Sequence, residues 1–157
     1  MKKQFSIILA AVFIDQLVKY AVRSVMFTGQ TIAIFPFFQL TYITNTGVAF
    51  GMFQGANLIF SIFTIIIVLS GFIFWYSRNK SAMSGWLNWA VILIIAGAFG
   101  NLIDRIFRGH VVDFLDFSIG SYHWPAFNAA DSCITIGGII LLITLLSAKK
   151  IDAPKER

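Results

Sequence analysis

Four stretches of this chain are each apolar for about 20 residues, the length that the roughly 30 Å hydrocarbon core of a bilayer demands of a helix. They run over 4–26, 57–76, 86–107 and 128–148. Asp15, Lys19 and Arg23 interrupt the first, the second has no charge, the third is charged only at its end, and Asp131 lies near the start of the fourth. Charged residues make up 12% of the chain, against about 25% in a soluble domain. So little charge argues against a water-wetted globule, a disordered chain, a coiled coil and a nucleic-acid binder. The expected fold class is an all-α polytopic membrane protein, with 1–157 as a single membrane domain of four transmembrane helices.

The N-terminus, Met1-Lys2-Lys3 before an apolar run, has the outline of a secretory signal peptide. Asp15 and Lys19 break that outline, and no small-x-small cleavage site follows, so the segment is expected to stay as the first helix. Orientation follows from Lys and Arg. Lys2 and Lys3 precede the first helix, Arg78 and Lys80 separate the second from the third, and Lys149, Lys150, Lys155 and Arg157 follow the fourth. These regions share one side if all four helices span. Both termini and a tail over 149–157 are then cytoplasmic, and 27–56 and 108–127 are outside.

The outer segment 27–56 has no charged residue. Pro36, Gly47, Gly51 and Gly55 argue against a lipid-facing helix, while Phe37 to Thr44 read as extended chain. An open sheet edge is not tolerated inside hydrocarbon, so a small β-rich platform at the outer interface is expected. Its plainest role is a surface-lying loop; an exposed strand edge would also suit capture of an extended peptide by strand addition. The segment 108–127 is read as an outer loop that folds back as a hairpin.

Ionisable residues within spans are costly and mark candidate functional sites. Asp15 and Lys19, spaced i,i+4, share a helix face; they form either a structural ion pair or the border of a site. Gly97, Asn101 and Arg105 recur every four residues. Small residues permit close helix approach, with Asn101 and Arg105 at the outer end of the contact, although Arg105 alone would read as a snorkelling side chain. Asp104 and Arg108 are also i,i+4 and form a candidate pair at the helix end.

Asp113 and Asp131 lie 18 residues apart, either side of the outer turn. Asn128 suits a helix N-cap, with Asp131 at the third helical position. A capping carboxylate explains Asp131 by itself. It does not explain Asp113, Asp131, Asn101, Asn128 and Arg105 all arriving at one depth. Other chemistries fit poorly: His110 and His123 read as surface polar residues, there is no HExxH, no serine has a base in a motif, and Cys133 reads as a packing residue. Acidic chemistry rests on six aspartates, since glutamate occurs only as Glu156. Two carboxylates at a membrane surface suit peptide hydrolysis without a covalent intermediate, one taking a proton from water and the other protonating the carbonyl oxygen.

Five motifs in order carry a family resemblance: Asp15-Gln16-Leu17-Val18-Lys19, Asn45 to Gly51, Gly97 to Arg105, Val111 to Asp116, and Pro125 to Asp131. With these the chain resembles the bacterial lipoprotein signal peptidases, signal peptidase II, across nearly its whole length. Val18 and Val48 depart from the usual Thr and Ala. The resemblance implies an aspartic endopeptidase of the bacterial plasma membrane that cuts prolipoproteins just before the diacylglyceryl-modified cysteine. It implies Asp113 and Asp131 as catalytic dyad and Asn45, Gly47, Asn101, Arg105, Asn128, Asp15 and Lys19 as site-lining residues. Gly97, Asp104 and Ala130 would support them, and the platform would be the family's β-cradle, with the link before Asp131 near its mobile gate. It also implies sensitivity to globomycin-like cyclic peptides, no metal or cofactor, membrane lipid and prolipoproteins as partners, and a monomer. Two other classes compete: a four-helix proton-coupled transporter using Asp15 or Asp131, which would want its acidic site near the midplane, and a non-enzymatic assembly factor with structural aspartates.

Overall fold

The computed structural model describes residues 2–47, 52–78 and 85–151, apart from the side chains of Arg78 and 148–151. Expectations resting on Val48, Ala49, Phe50, Gly51 and Lys80, and on the tail from Asp152 onward, lie outside the described residues. The helices are α1 Lys2–Val25, α2 Asn57–Arg78, α3 Gly85–Arg108 and α4 Ala129–Ile151. All four are long and apolar enough to cross a membrane.

α3 is the central helix, packed on α1, α2 and α4. Its small residues explain the position. A Cβ built on Gly97 would stand 2.2 Å from the Ala130 carbonyl oxygen, and one on Gly100 would stand 2.8 Å from Asp15 Oδ2. Only glycine lets the three helices meet here. The core below is apolar: Ile8 and Val12 of α1, Trp75 of α2, and Val91, Ile92, Ile95 and Ala96 of α3. α2 and α4 instead expose rows of large apolar side chains, among them Leu58, Ile62, Ile66, Leu69, Ile139, Leu142 and Leu146. Water would penalise these rows, and lipid accepts them.

Between the helices lie β1 Thr31–Phe35, β2 Phe38–Asn45, β3 Val111–Ile119 and β4 Tyr122–His123. They form one antiparallel sheet in the order β1-β2-β3-β4. The expected loop over 108–127 is therefore corrected: nine of its residues form the third strand of the platform, and β4 pairs back on it across Gly120, whose φ is +60°. The alternation that marks a strand is hidden because Val111, Val112, Asp113 and Phe114 are all buried. A strand covered on both faces loses its period-two signature. Val112 and Phe114 pack with Val22, Met26 and Tyr42, which fixes the sheet on the end of α1.

Candidate active site

β2 and β3 pair with Ile43 opposite Asp113 and Asn45 opposite Val111. Asn45 is thus the diagonal neighbour of Asp113, and its Nδ2 donates to Asp113 Oδ2 at 3.0 Å. The segment before α4 is held against the same strand. Phe114 N and Leu115 N both donate to the Phe127 carbonyl, at 3.0 and 2.8 Å, and Phe127 N donates back to the Leu115 carbonyl. This lattice of backbone bonds carries the start of α4, with Asp131, to Asp113.

Asn128 caps α4 as expected. Asp131 N donates to Asn128 Oδ1 at 2.9 Å, and Asn128 N donates to Asp131 Oδ2 at 3.1 Å, so two orphan amides at the helix start are satisfied reciprocally. The Asn128 side chain does a second thing: its Nδ2 donates to Asp113 Oδ1 at 2.7 Å. One fully buried asparagine therefore bonds both carboxylates. The other oxygen of Asp131 accepts from Asn101 Nδ2 at 2.7 Å.

Behind the dyad lies a charged layer. Lys19 is fully buried, with its Nζ 2.9 Å from Asp15 Oδ2, 3.0 Å from Asp104 Oδ2 and 3.0 Å from Asn101 Oδ1. An ammonium only donates, so Asn101 must turn its oxygen to Lys19 and its amide hydrogens to Asp131. Asp15 also accepts from Ala130 N at 3.0 Å. Asp104 pairs with Arg108 and accepts from Val112 N at 3.1 Å. Asp15 and Lys19 were expected to line the site. Both stand behind its wall, because a buried charge needs its partners on every side. Asn128 is likewise a bridge within the wall.

In front of the dyad is a cavity of about 720 Å³. Asn45, Gly47, Asn101, Arg105, Asp113 and Asp131 form its polar end, and Phe60, Phe63, Ile67, Ile94, Ile134 and Ile136 form an apolar flank from α2, α3 and α4. The Arg105 guanidinium donates to the Gly47 carbonyl at 3.4 Å, and its buried Nε has no hydrogen-bond partner among the described residues. Burial, and then the charge of Asp131, push the Asp113 carboxyl up to about 7. Among the described residues, no three His, Cys, Asp and Glu side chains are placed to hold a metal ion.

Sequence reasoning missed several contributors. Gln16 ties α1 to α3 by donating to the Gly100 carbonyl and accepting from Arg108. It stands inside the first motif but carries no charge to flag it. α2 gives half of the apolar flank, and Gln54 donates to Asn45 Oδ1 at 3.5 Å. His110, expected at the surface, has its Nε2 buried without a partner among the described residues, and burial lowers its pKa. His123 is half exposed and paired with Asp116 at 3.0 Å.

Residues 7–147 match the family described as Signal peptidase (SPase) II. The chain is similar to a lipoprotein signal peptidase of Alteromonas mediterranea, 41% identical over 139 residues, which cover 86% of this chain and 75% of that protein. A lipoprotein signal peptidase of Halothermothrix orenii is 39% identical over 148 residues, covering 94% of this chain and 97% of that one. Two solved structures, each described as a bacterial membrane enzyme, have the same fold. One superposes with a TM-score of 0.86 at 36% identity, covering 100% of this chain and 95% of that one. The other gives 0.80 at 37%, covering 93% and 94%.

Proposed function

The chain belongs to the signal peptidase II family, and we propose that Asp113 and Asp131 are the catalytic dyad with which it removes the signal peptide from prolipoproteins. It is a multi-pass bacterial membrane protein and a peptidase of aspartic type. The observation that carries the assignment is Asn128, which donates to both carboxylates at the polar end of one cavity. The transporter reading loses its support: the family is a peptidase family, and the cavity-facing carboxylates sit at the sheet and the first turn of α4, away from the middle of the helices.

In this reading Asp113 is the acid and Asp131 the base. Asp113 stands on a strand, and its carboxyl holds a proton up to about pH 7. Asp131 lies in the first turn of α4, where a helix terminus favours negative charge by about 0.3–1 kcal/mol. Asp131 takes a proton from a water between the two, the resulting hydroxide attacks the scissile carbonyl, and Asp113 protonates its oxygen. Collapse of the tetrahedral species expels the amine, which takes its proton from the dyad. Asn45 and Asn128 hold Asp113, Asn101 holds Asp131, and Arg105 faces the substrate backbone.

The same reading orients the chain with both termini in the cytoplasm and the dyad at the outer face, following Lys2 and Lys3 at the start of α1 and the basic residues of the sequence from Lys149 onward. The protein acts as a single membrane unit, a monomer surrounded by lipid. The substrate is the diacylglyceryl-modified precursor, cut just before its modified cysteine. The apolar flank of the cavity lets signal peptide and acyl chains stay in lipid while the backbone enters. The test is incubation of the purified protein with a precursor peptide carrying either a diacylglyceryl cysteine or a plain one. Cleavage of the lipidated peptide is expected. Cleavage of neither would refute the peptidase, and equal cleavage of both would refute lipid recognition.

A further inference from the structure

Asp113 walls a second cavity, of about 390 Å³, on the side away from the apolar flank. Here the lining is mixed: Gln54, Asp116 and His123 join Asn45 and Asp113 beside Ile43, and Trp124, Pro125 and Ala126 are shared by the two cavities. None of it comes from the helical spans. The Asp116 carboxylate is a built feature. Its Oδ2 accepts from Gln39 Nε2 at 3.0 Å and from Thr41 Oγ1 at 3.1 Å, and its Oδ1 stands 3.0 Å from His123 Nδ1. The dyad chemistry does not use this group.

A substrate cut before a lipid-modified cysteine has two unlike ends. The signal peptide and the acyl chains need lipid, which the larger cavity reaches. The polypeptide after the cysteine needs water, and the smaller cavity, which shares Asn45, Asp113, Trp124, Pro125 and Ala126 with the larger one, leads away from Asp113 through residues outside the apolar flank. Resting on the peptidase reading above, we propose that the smaller cavity is the subsite for the residue following the cysteine, and that Asp116 makes it prefer a cationic over an anionic side chain. Charge near the subsite then sets client preference, because a wrong-signed side chain meets a carboxylate fixed by Gln39, Thr41 and His123.

Three lipidated peptides, with Ser, Lys or Asp directly after the cysteine, test this with wild-type protein, Asp116→Asn and His123→Gln. The wild type is expected to show a higher kcat/KM for Lys than for Asp. Asp116→Asn should lower that ratio about five-fold, the range of a single charge pair. His123→Gln, which keeps the carboxylate, should keep the preference for Lys. Rising salt should shrink the wild-type ratio, which tests the idea even if Asp116→Asn misfolds. A wild-type ratio near one, or a ratio unmoved by both Asp116→Asn and salt, would overturn the subsite while the peptidase stands. If no lipidated peptide is cut, the peptidase reading fails and this one with it.

Discussion

Four aspartates lie around the α1–α3–α4 junction, Asp15, Asp104 and Asp113 buried and Asp131 half-buried, and they divide into two pairs by the partners they keep. Asp15 and Asp104 meet Lys19 and Arg108, cation for anion. Among the described residues, Asp113 and Asp131 take their hydrogen bonds from amides: Asn45, Asn101 and Asn128. The first pair joins α1 to α3 and holds Ala130 at the start of α4. The second faces a cavity. An ion pair fixes a carboxylate in place and in charge, whereas an amide orients it and leaves it able to exchange a proton. Asn101 joins the layers, with its oxygen on Lys19 and its amide on Asp131.

If that division is right, substitution should separate activity from stability. Asp113→Asn and Asp131→Asn, nearly isosteric, should each cut the cleavage rate by about 10³-fold or more, since one partner of the proton transfer is gone, while thermal unfolding of the purified protein changes little. Wild-type turnover in either variant would end the assignment.

Lys19→Met should do the reverse, acting first on folding. It leaves two buried carboxylates with too little positive charge, a loss of about 3–5 kcal/mol, seen as a lower unfolding temperature. Adding Asp104→Asn should restore part of it. A Lys19→Met protein as stable as wild type would mean that the charged layer does not hold the junction.

pH sharpens the contrast further. Asp113 must be protonated to act as acid, and its carboxyl is pushed up to about 7. The acid form is complete well below that pH and is lost as pH rises through it, so kcat/KM should fall about ten-fold per unit above pH 7. Single-turnover rates across pH 5 to 9 check it; a profile flat to pH 9 would place the proton elsewhere. The smallest effect belongs to Asn45→Ala. Asn45 donates to Asp113 and so favours its charged form. Removing that donor should move the alkaline limb upward by about half a unit, or about 0.7 kcal/mol.

The four helices were legible in the sequence because a bilayer imposes a length and an apolar composition that no neighbour can alter. So was the capping relation of Asn128 and Asp131, which is local. Gly97 announced close packing through its spacing from Asn101 and Arg105, and the Asp15–Lys19 and Asp104–Arg108 pairs followed from one helical turn.

What only the tertiary structure decided is non-local. β3 was hidden because burial on both faces removes alternation. Asp113 meets Asp131 through the bonds between β3 and Phe127, a contact no spacing rule contains. Lys19 turned out to stand behind the wall, since which side of a buried charge faces the cavity depends on where α3 packs. Charge count and helix length are properties of a segment alone, and the sequence carries them openly. The orientation of Asn101, the shared hold of Asn128 and the second cavity beyond Asp113 arise only when segments far apart in the chain pack together.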